Sequence, residues 1–255
     1  NYIYGYVKNF PEGSDTSEFG GASYAYTQST VLREVTPQGK TVWSWFPSEH
    51  LDLSETGRWW GIILEYDNWL YDVSHWNAVE VVGRHMYLSF RNRDAIYKVN
   101  RETGRVVWKL GGTETSKSLR VLDYPDDDYV LGAQHDVRVQ PNGSVTVFNN
   151  RSFLENPTPR AERFRINEEA GTARLVEQIE DSEVKESECC GSARRLPSKD
   201  WLVSWGETGI IGAYDPAGRT IFRLRSSKFS YRANPVAAGM VTVSKLRRAM
   251  NRMNR

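Results

Sequence analysis

Apolar and polar residues alternate with a period of two along most of the chain, in paired runs joined by short turns rich in Gly, Asn, Ser and Lys. Such alternation sets one face of a strand on a core and the other toward water, so the paired runs predict β-hairpins. One kind of hairpin recurs four times: VLREVTPQGKTVWSW around Gly39, IYKVNRETGRVVWKL around Gly104, ERFRINEEAGTARLV around Gly171 and GAYDPAGRTIFRL around Gly218. A second kind interleaves with it: HWNAVEVVGRHMYLSFR from His75, HDVRVQPNGSVTVFNN from His135 and CGSARRLPSKDWLVSWG from Cys190. Its turns hold Gly83, Asn142-Gly143 and Ser198-Lys199, residues suited to tight connections.

Two hairpins in strict alternation make a four-stranded antiparallel sheet, and tandem copies predict an all-β fold, a β-propeller. A sandwich has no reason to repeat two distinct hairpins in order. About four blades are visible over residues 1–240. Either the first 30 residues hide a degenerate blade or the chain is the C-terminal part of a longer propeller.

Helical spacing appears in one place, the segment 241–255, where Val243, Leu246, Met250 and Met253 alternate with Lys245, Arg247, Arg248, Arg252 and Arg255. The simplest reading is a short terminal helix clipped across the propeller edge with solvated arginines; the other is a basic amphipathic helix that lies on an anionic membrane or a partner. The acidic run from Glu177 to Glu188 reads as a solvated loop, and Asp126-Asp127-Asp128 as the cap of a loop top.

Composition narrows the function. With 33 Lys and Arg against 32 Asp and Glu, the 255-residue chain has a formal charge of +1 and no global field for nucleic acid. No run of 18 apolar residues exists, so no helix is expected to span a membrane. The opening Asn1, with no signal-peptide pattern after it, points to a processed or truncated product. Two adjacent cysteines, Cys189 and Cys190, suit neither a disulfide framework nor a zinc site with His75 and His135, so no metal is expected. They read as two small buried thiols, with a vicinal disulfide as the alternative.

In a propeller the first strand of the second hairpin is innermost, and its leading residue faces the central channel. His75, His135 and Cys190 would therefore converge, although far apart in the chain. His50 and His85 begin no inner strand and read as surface groups, His85 in the turn after Gly83.

The stretches SHWNAVEVV, LSFRNRDAIYKVNRETGRVVWKLGG, QHDVRVQPNGSVTVFNN and GSARRLPSKDWLVSWG resemble successive blades of the bacterial and fungal arylsulfotransferase family, from about Thr41 to Arg225. The resemblance implies a six-bladed propeller, with further blades before Asn1, and residence outside the cytoplasm. It also implies sulfuryl transfer between an aryl sulfate and a phenol through a transiently sulfated histidine, without a nucleotide cofactor. Arg160 resembles the family's arginine after the third-quarter hairpin, and Asn150 the asparagine of a Phe-acid-Asn-Gly motif. Here that motif reads Phe148-Asn149-Asn150-Arg151, so charge near the pocket would change if Arg151 pointed inward.

The residue types fit that chemistry. A sulfate ester needs its oxygens neutralised, a nucleophile at sulfur and a proton for the departing phenoxide. His75 and His135 could divide the last two roles, and Arg91 or Arg160 could clamp the oxygens. The competing reading is a non-catalytic propeller whose aromatic mouth, around Trp59, Trp60, Trp76 and Trp205, binds an aromatic or carbohydrate ligand or a protein. Trp76 and Trp205 would then line the substrate pocket in either case.

Overall fold

Each of the seven hairpins closes where the alternation places it, because its inward residues find partners on the neighbouring sheets. A computed structural model describes residues 1–9, 13–66, 70–125, 129–236 and 239–253. The first sheet holds β1 (Tyr2–Asn9), β2 (Tyr26–Val35) and β3 (Thr41–Trp45), with helix α1 (Trp59–Tyr66) following and β4 (Leu70–Asp72) pairing in parallel with β2. The second sheet runs in order through β5 (Trp76–Val82), β6 (His85–Phe90), β7 (Ala95–Asn100) and β8 (Val106–Gly111). The third contains β9 (Arg120–Leu122), β10 (His135–Val139), β11 (Val145–Asn149), β12 (Arg160–Asn167) and β13 (Thr172–Ile179), with β9 parallel to β13. The fourth is β14 (Ser192–Arg195), β15 (Trp201–Ser204), β16 (Ile210–Tyr214) and β17 (Thr220–Arg225), and helix α2 (Val243–Met253) ends the described chain.

The fold is therefore all-β, with four sheets of four or five strands and two short α-helices among the described residues. Its core is divided between neighbouring sheets. Leu110, Leu131, Val137, Val147 and Phe164 fill the space between the second and third, while Phe148, Trp201, Val203, Trp205 and Tyr214 fill that between the third and fourth. Packing in this way sets β5, β10 and β14 side by side. Gln134, just before β10, ties these sheets together: its side-chain amide donates to Phe90 O and Ala95 O, each at 3.0 Å, and its backbone carbonyl accepts from Asn77 Nδ2 at 2.7 Å.

Several expectations change. Helix α1 was not readable, because WWGIILEY is apolar on every side and carries no helical period; it buries Trp59, Trp60 and Ile63. His85 opens β6 instead of lying in the turn. The acidic run is not simply a solvated loop: Glu177 lies in β13 and accepts from Arg163 and Arg195, while buried Asp181 accepts from Tyr214 and Arg223. Helix α2 is not clipped onto the fold, since none of its residues is buried. Asp126 to Asp128 and the last two residues of the basic segment, Asn254 and Arg255, lie outside the described residues.

Candidate functional site

The residues that lead the neighbouring strands β5, β10 and β14 meet at one end of the sheets. His135 is 2% exposed, and its Nδ1 lies 2.9 Å from both Ala133 O and Asn150 Oδ1. Asn150 is oriented unambiguously, because its Nδ2 donates to the carbonyls of Ser187 at 3.0 Å and Cys190 at 3.1 Å. Its Oδ1 is thus an acceptor, as is Ala133 O. Nδ1 must therefore carry the proton. The Nε2 lone pair faces the backbone N–H of Cys190, which donates to it over a long 3.3 Å. Burial, reinforced by the nearby charges of Arg91 and His75 and only partly offset by Asn150, drives the His135 pKa down to about 3. The ring is neutral, with its tautomer fixed and Nε2 as its unprotonated nitrogen.

Positioning of that ring runs through a chain of bonds outside the two hairpins. Arg58 donates to Asp94 Oδ2 at 2.6 Å and Oδ1 at 3.1 Å, and Asp94 Oδ1 accepts from Ala133 N at 2.7 Å. Ala133 then presents its carbonyl to His135. Asp94, Ala133, Asp136, Arg151, Phe153 and Cys190, together with His75, all have positive φ without being glycine. Strained backbone of this kind gathers where side chains must be held at fixed angles.

His75 stands at the exposed rim. Its Nδ1 is 2.6 Å from Asp72 Oδ2, and its backbone N–H donates to the other oxygen at 2.9 Å. A carboxylate in this position orients the ring and compensates a positive charge on it, leaving Nε2 free of this bond. Arg91 follows β6, donates its own N–H to His75 O at 3.0 Å, and lays its guanidinium 4.3 Å from the centre of the Trp59 ring. Trp59 is also flanked by Arg58 at 4.9 Å and by Phe153 edge-on at 5.9 Å. Stacking of this kind uses none of Arg91's donors, of which Nη1 donates to Asn92 Oδ1 at 3.0 Å. Tyr231, in the segment after β17, sets its ring edge-on to His135 at 6.0 Å.

His75, His135, Arg91, Asn150 and the Cys190 amide are thus brought together. Arg160 is placed elsewhere: its Nε pairs with Glu180 at 3.0 Å and its charge acts on Glu162 and Tyr124. Arg151, likewise, donates from Nε to Asn156 O at 2.7 Å and belongs to the environment of Glu162. The altered motif therefore bears on that buried carboxyl, which burial pushes up to about 7. Asn149 turns the same way, donating to Glu162 Oε2 at 3.0 Å. Trp205 is a correction, being fully buried with its N–H on Tyr214 Oη at 2.7 Å. Trp76 is another, since its ring lies against Gly5 of β1 and the apolar cluster around Leu88 and Phe90. Successive strand residues face opposite ways, so a tryptophan next to an axial histidine turns to the other face. Trp60 stacks on Phe19, also within the core. His50 stacks on Trp45 at 5.2 Å near the surface.

Cys189 and Cys190 carry free thiols 2.6 Å apart, and burial pushes that of Cys189 up to about 12, so it is not a nucleophile near neutral pH. No group of three or more His, Cys, Asp or Glu among the described residues could hold a metal ion. Beside the cluster, a cavity of about 220 Å³ is lined by Ser152, Phe153, Leu154, Pro157, Glu186, Ser187 and Glu188.

Asp72, Ala133, Arg58, Asp94 and Tyr231 were not found from the sequence. Only Asp72 left a signal there, three residues ahead of His75.

Comparison with known proteins gives one match by sequence family: the arylsulfotransferase family model covers residues 9–227. No curated protein matches the chain. Among solved structures, a Bacteroides caccae protein of unknown function is 11% identical, with a TM-score of 0.48, over 82% of this chain and 59% of its own. Virginiamycin B lyase from Staphylococcus aureus is 10% identical, with a TM-score of 0.41, over 88% and 61%. Periplasmic gluconolactonase from Pseudomonas aeruginosa is 11% identical, with a TM-score of 0.40, over 83% and 66%. The chain thus spans less than two thirds of these proteins.

Proposed function

The chain belongs to the arylsulfotransferase family, and on that premise we propose that it moves a sulfuryl group from an aryl sulfate to a phenolic acceptor through His135. The observation that carries the assignment is the neutral His135 ring, with Nδ1–H held by Ala133 O and Asn150 Oδ1 and with a lone pair on Nε2. The wider architecture, a six-bladed propeller completed by blades outside this chain, and a location outside the cytoplasm belong to the same proposal.

In the first half-reaction the Nε2 lone pair attacks sulfur, an N–S bond forms, and the S–O bond to the aryl group breaks with its electrons passing to the aryloxide. The proton that the aryloxide takes comes from His75, whose ring charge Asp72 compensates. Sulfation leaves a positive charge on the His135 ring, and the two oxygens facing Nδ1–H stabilise it. In this reading the Cys190 N–H, released from Nε2, and Arg91, whose charge already acts on His135, stabilise the sulfuryl oxygens. In the second half the phenol gives its proton to His75 and its oxygen attacks sulfur. The N–S bond then breaks, and the lone pair returns to His135.

Incubation with a chromogenic aryl sulfate in the absence of acceptor tests the reading directly. Intact mass is expected to rise by one sulfuryl group, peptide mapping to place it on His135, and a phenol to discharge it. Lack of any adduct and of any turnover, or an adduct on another side chain, would overturn the proposal.

The pH dependence is a separate expectation. An ordinary histidine loses its lone pair to a proton below about pH 6.5. His135, held at about 3, stays unprotonated well below that value. With a donor whose phenol is acidic, so that departure of the aryloxide needs no proton from His75, the rate of adduct formation should therefore be flat, within about twofold, from about pH 5 to pH 8, measured by quenched single-turnover reactions. A fall to half near pH 6.5 would assign the attack to a solvated imidazole.

A further inference from the structure

Charge is segregated along this chain. All 32 Asp and Glu lie at or before Asp215, whereas ten of the 33 Lys and Arg follow it. A nearly neutral protein therefore ends in a segment without one carboxylate side chain. Within it, α2 places Val243, Leu246, Met250 and Met253 on one stripe by helical spacing, and Lys245, Arg248 and Arg252 on the opposite side, with Arg247 at the stripe's margin. The Thr242 hydroxyl caps the first turn by accepting from Lys245 N at 3.2 Å.

Among the described residues nothing covers the apolar stripe. Val243 is 67% exposed, Leu246 53%, Met250 55% and Met253 85%, and Met240 just ahead of the helix is 74% exposed. An eleven-residue helix is marginal in water by itself, so something outside the described fold must stabilise it. Charge complementarity identifies that surface as anionic, and the stripe identifies it as one with an apolar layer beneath the charge.

We propose that α2 docks on an anionic lipid surface, with its apolar stripe among the upper acyl carbons and Lys245, Arg247, Arg248 and Arg252 among the headgroups. Long basic side chains can bury their stems and still reach the headgroup level. Duplex nucleic acid would match the cations and leave the stripe in water. At eleven residues α2 is too short to cross a membrane, so in this proposal it lies along the surface.

Co-sedimentation of the full chain with vesicles tests this, comparing phosphatidylcholine alone with phosphatidylcholine containing phosphatidylserine in about 0.1 M salt. At least about tenfold more protein should partition to the anionic vesicles, because each basic residue near such a surface contributes about a fivefold gain at full effect. The double variant Arg247→Glu/Arg248→Glu should lose about tenfold or more, and so should Leu246→Glu/Met250→Glu, without change in the thermal midpoint. Far-UV ellipticity of the wild type should deepen on anionic vesicles. Equal partition onto both vesicle types, or charge reversal without effect, overturns the proposal. So does an apolar-stripe variant that converts a dimer to a monomer, or one that still binds duplex DNA as the wild type does while losing nothing on vesicles.

Discussion

His135→Gln is expected to abolish adduct formation and to lower kcat/KM for an aryl sulfate by about a thousandfold or more, since the attacking lone pair itself is removed. His75→Gln should behave differently. The adduct still forms with a donor whose phenol is acidic, because such a leaving group needs no proton, and kcat/KM for a poorly activated donor falls by about a hundredfold or more. Glutamine keeps a polar group at the buried position 135, so the Asn150 and Ala133 oxygens are not simply left facing a void, and a thermal midpoint within a few degrees of wild type separates lost chemistry from lost folding. Dependence of the His75→Gln defect on the pKa of the leaving phenol is the decisive readout. If His135→Gln retains the adduct and His75→Gln loses it, the two roles are exchanged. The neutral lone pair at position 135 then has some other use.

The hairpins were legible because alternation is a local property: each strand announces its buried face within its own four to ten residues. β4 and β9 were not, since each is a three-residue strand whose partner is remote and parallel, and nothing within three residues encodes such pairing. Convergence of His75, His135 and Cys190 was legible for the same reason as the hairpins, because equivalent positions in repeated sheets face one another. The direct contact between the Cys190 amide and His135 Nε2 is its physical outcome. What escaped is everything set by backbone conformation and by segments outside the repeat. A positive φ at Ala133 or Cys190 has no signature in residue type, and Tyr231 reaches His135 from a segment with no regular structure. Arg91 and Arg160 looked alike in sequence; their separation follows from stacking on Trp59 in one case and pairing with Glu180 in the other.

Above about pH 7, Asp136→Ala should destabilise the protein by about 3–5 kcal/mol: burial pushes this carboxyl up to about 7 against the pull of the nearby arginines, and above that pH the substitution removes the anion that three arginines share where β10 meets β14. Asp136 is fully buried; its Oδ1 lies 3.1 Å from Arg138, 2.9 Å from Arg194 and 3.6 Å from Arg232, and its Oδ2 accepts from Ala193 N at 3.2 Å. Removing the carboxylate leaves three guanidinium groups, each largely withdrawn from water, repelling one another. For a chain of this size the thermal midpoint should drop by roughly 10 °C, and Asp136→Asn, which keeps an acceptor for Ala193 without the charge, should fall between the two. The consequence reaches the histidines. Arg232 also donates to Asn77 O, and its neighbour Tyr231 accepts from Gly191 N at 3.0 Å, so the segment lying across His135 is fastened at Asp136 and along the start of β14. Loss of that fastening should expose the bonds after Lys228 and Arg232 to trypsin at a temperature where the wild type is resistant, and Arg232→Ala should reproduce the cleavage after Lys228 with a smaller loss of stability. Were Asp136→Ala to melt with the wild type and resist cleavage equally, the arginines would be satisfied without it and Tyr231 would owe its place to something else.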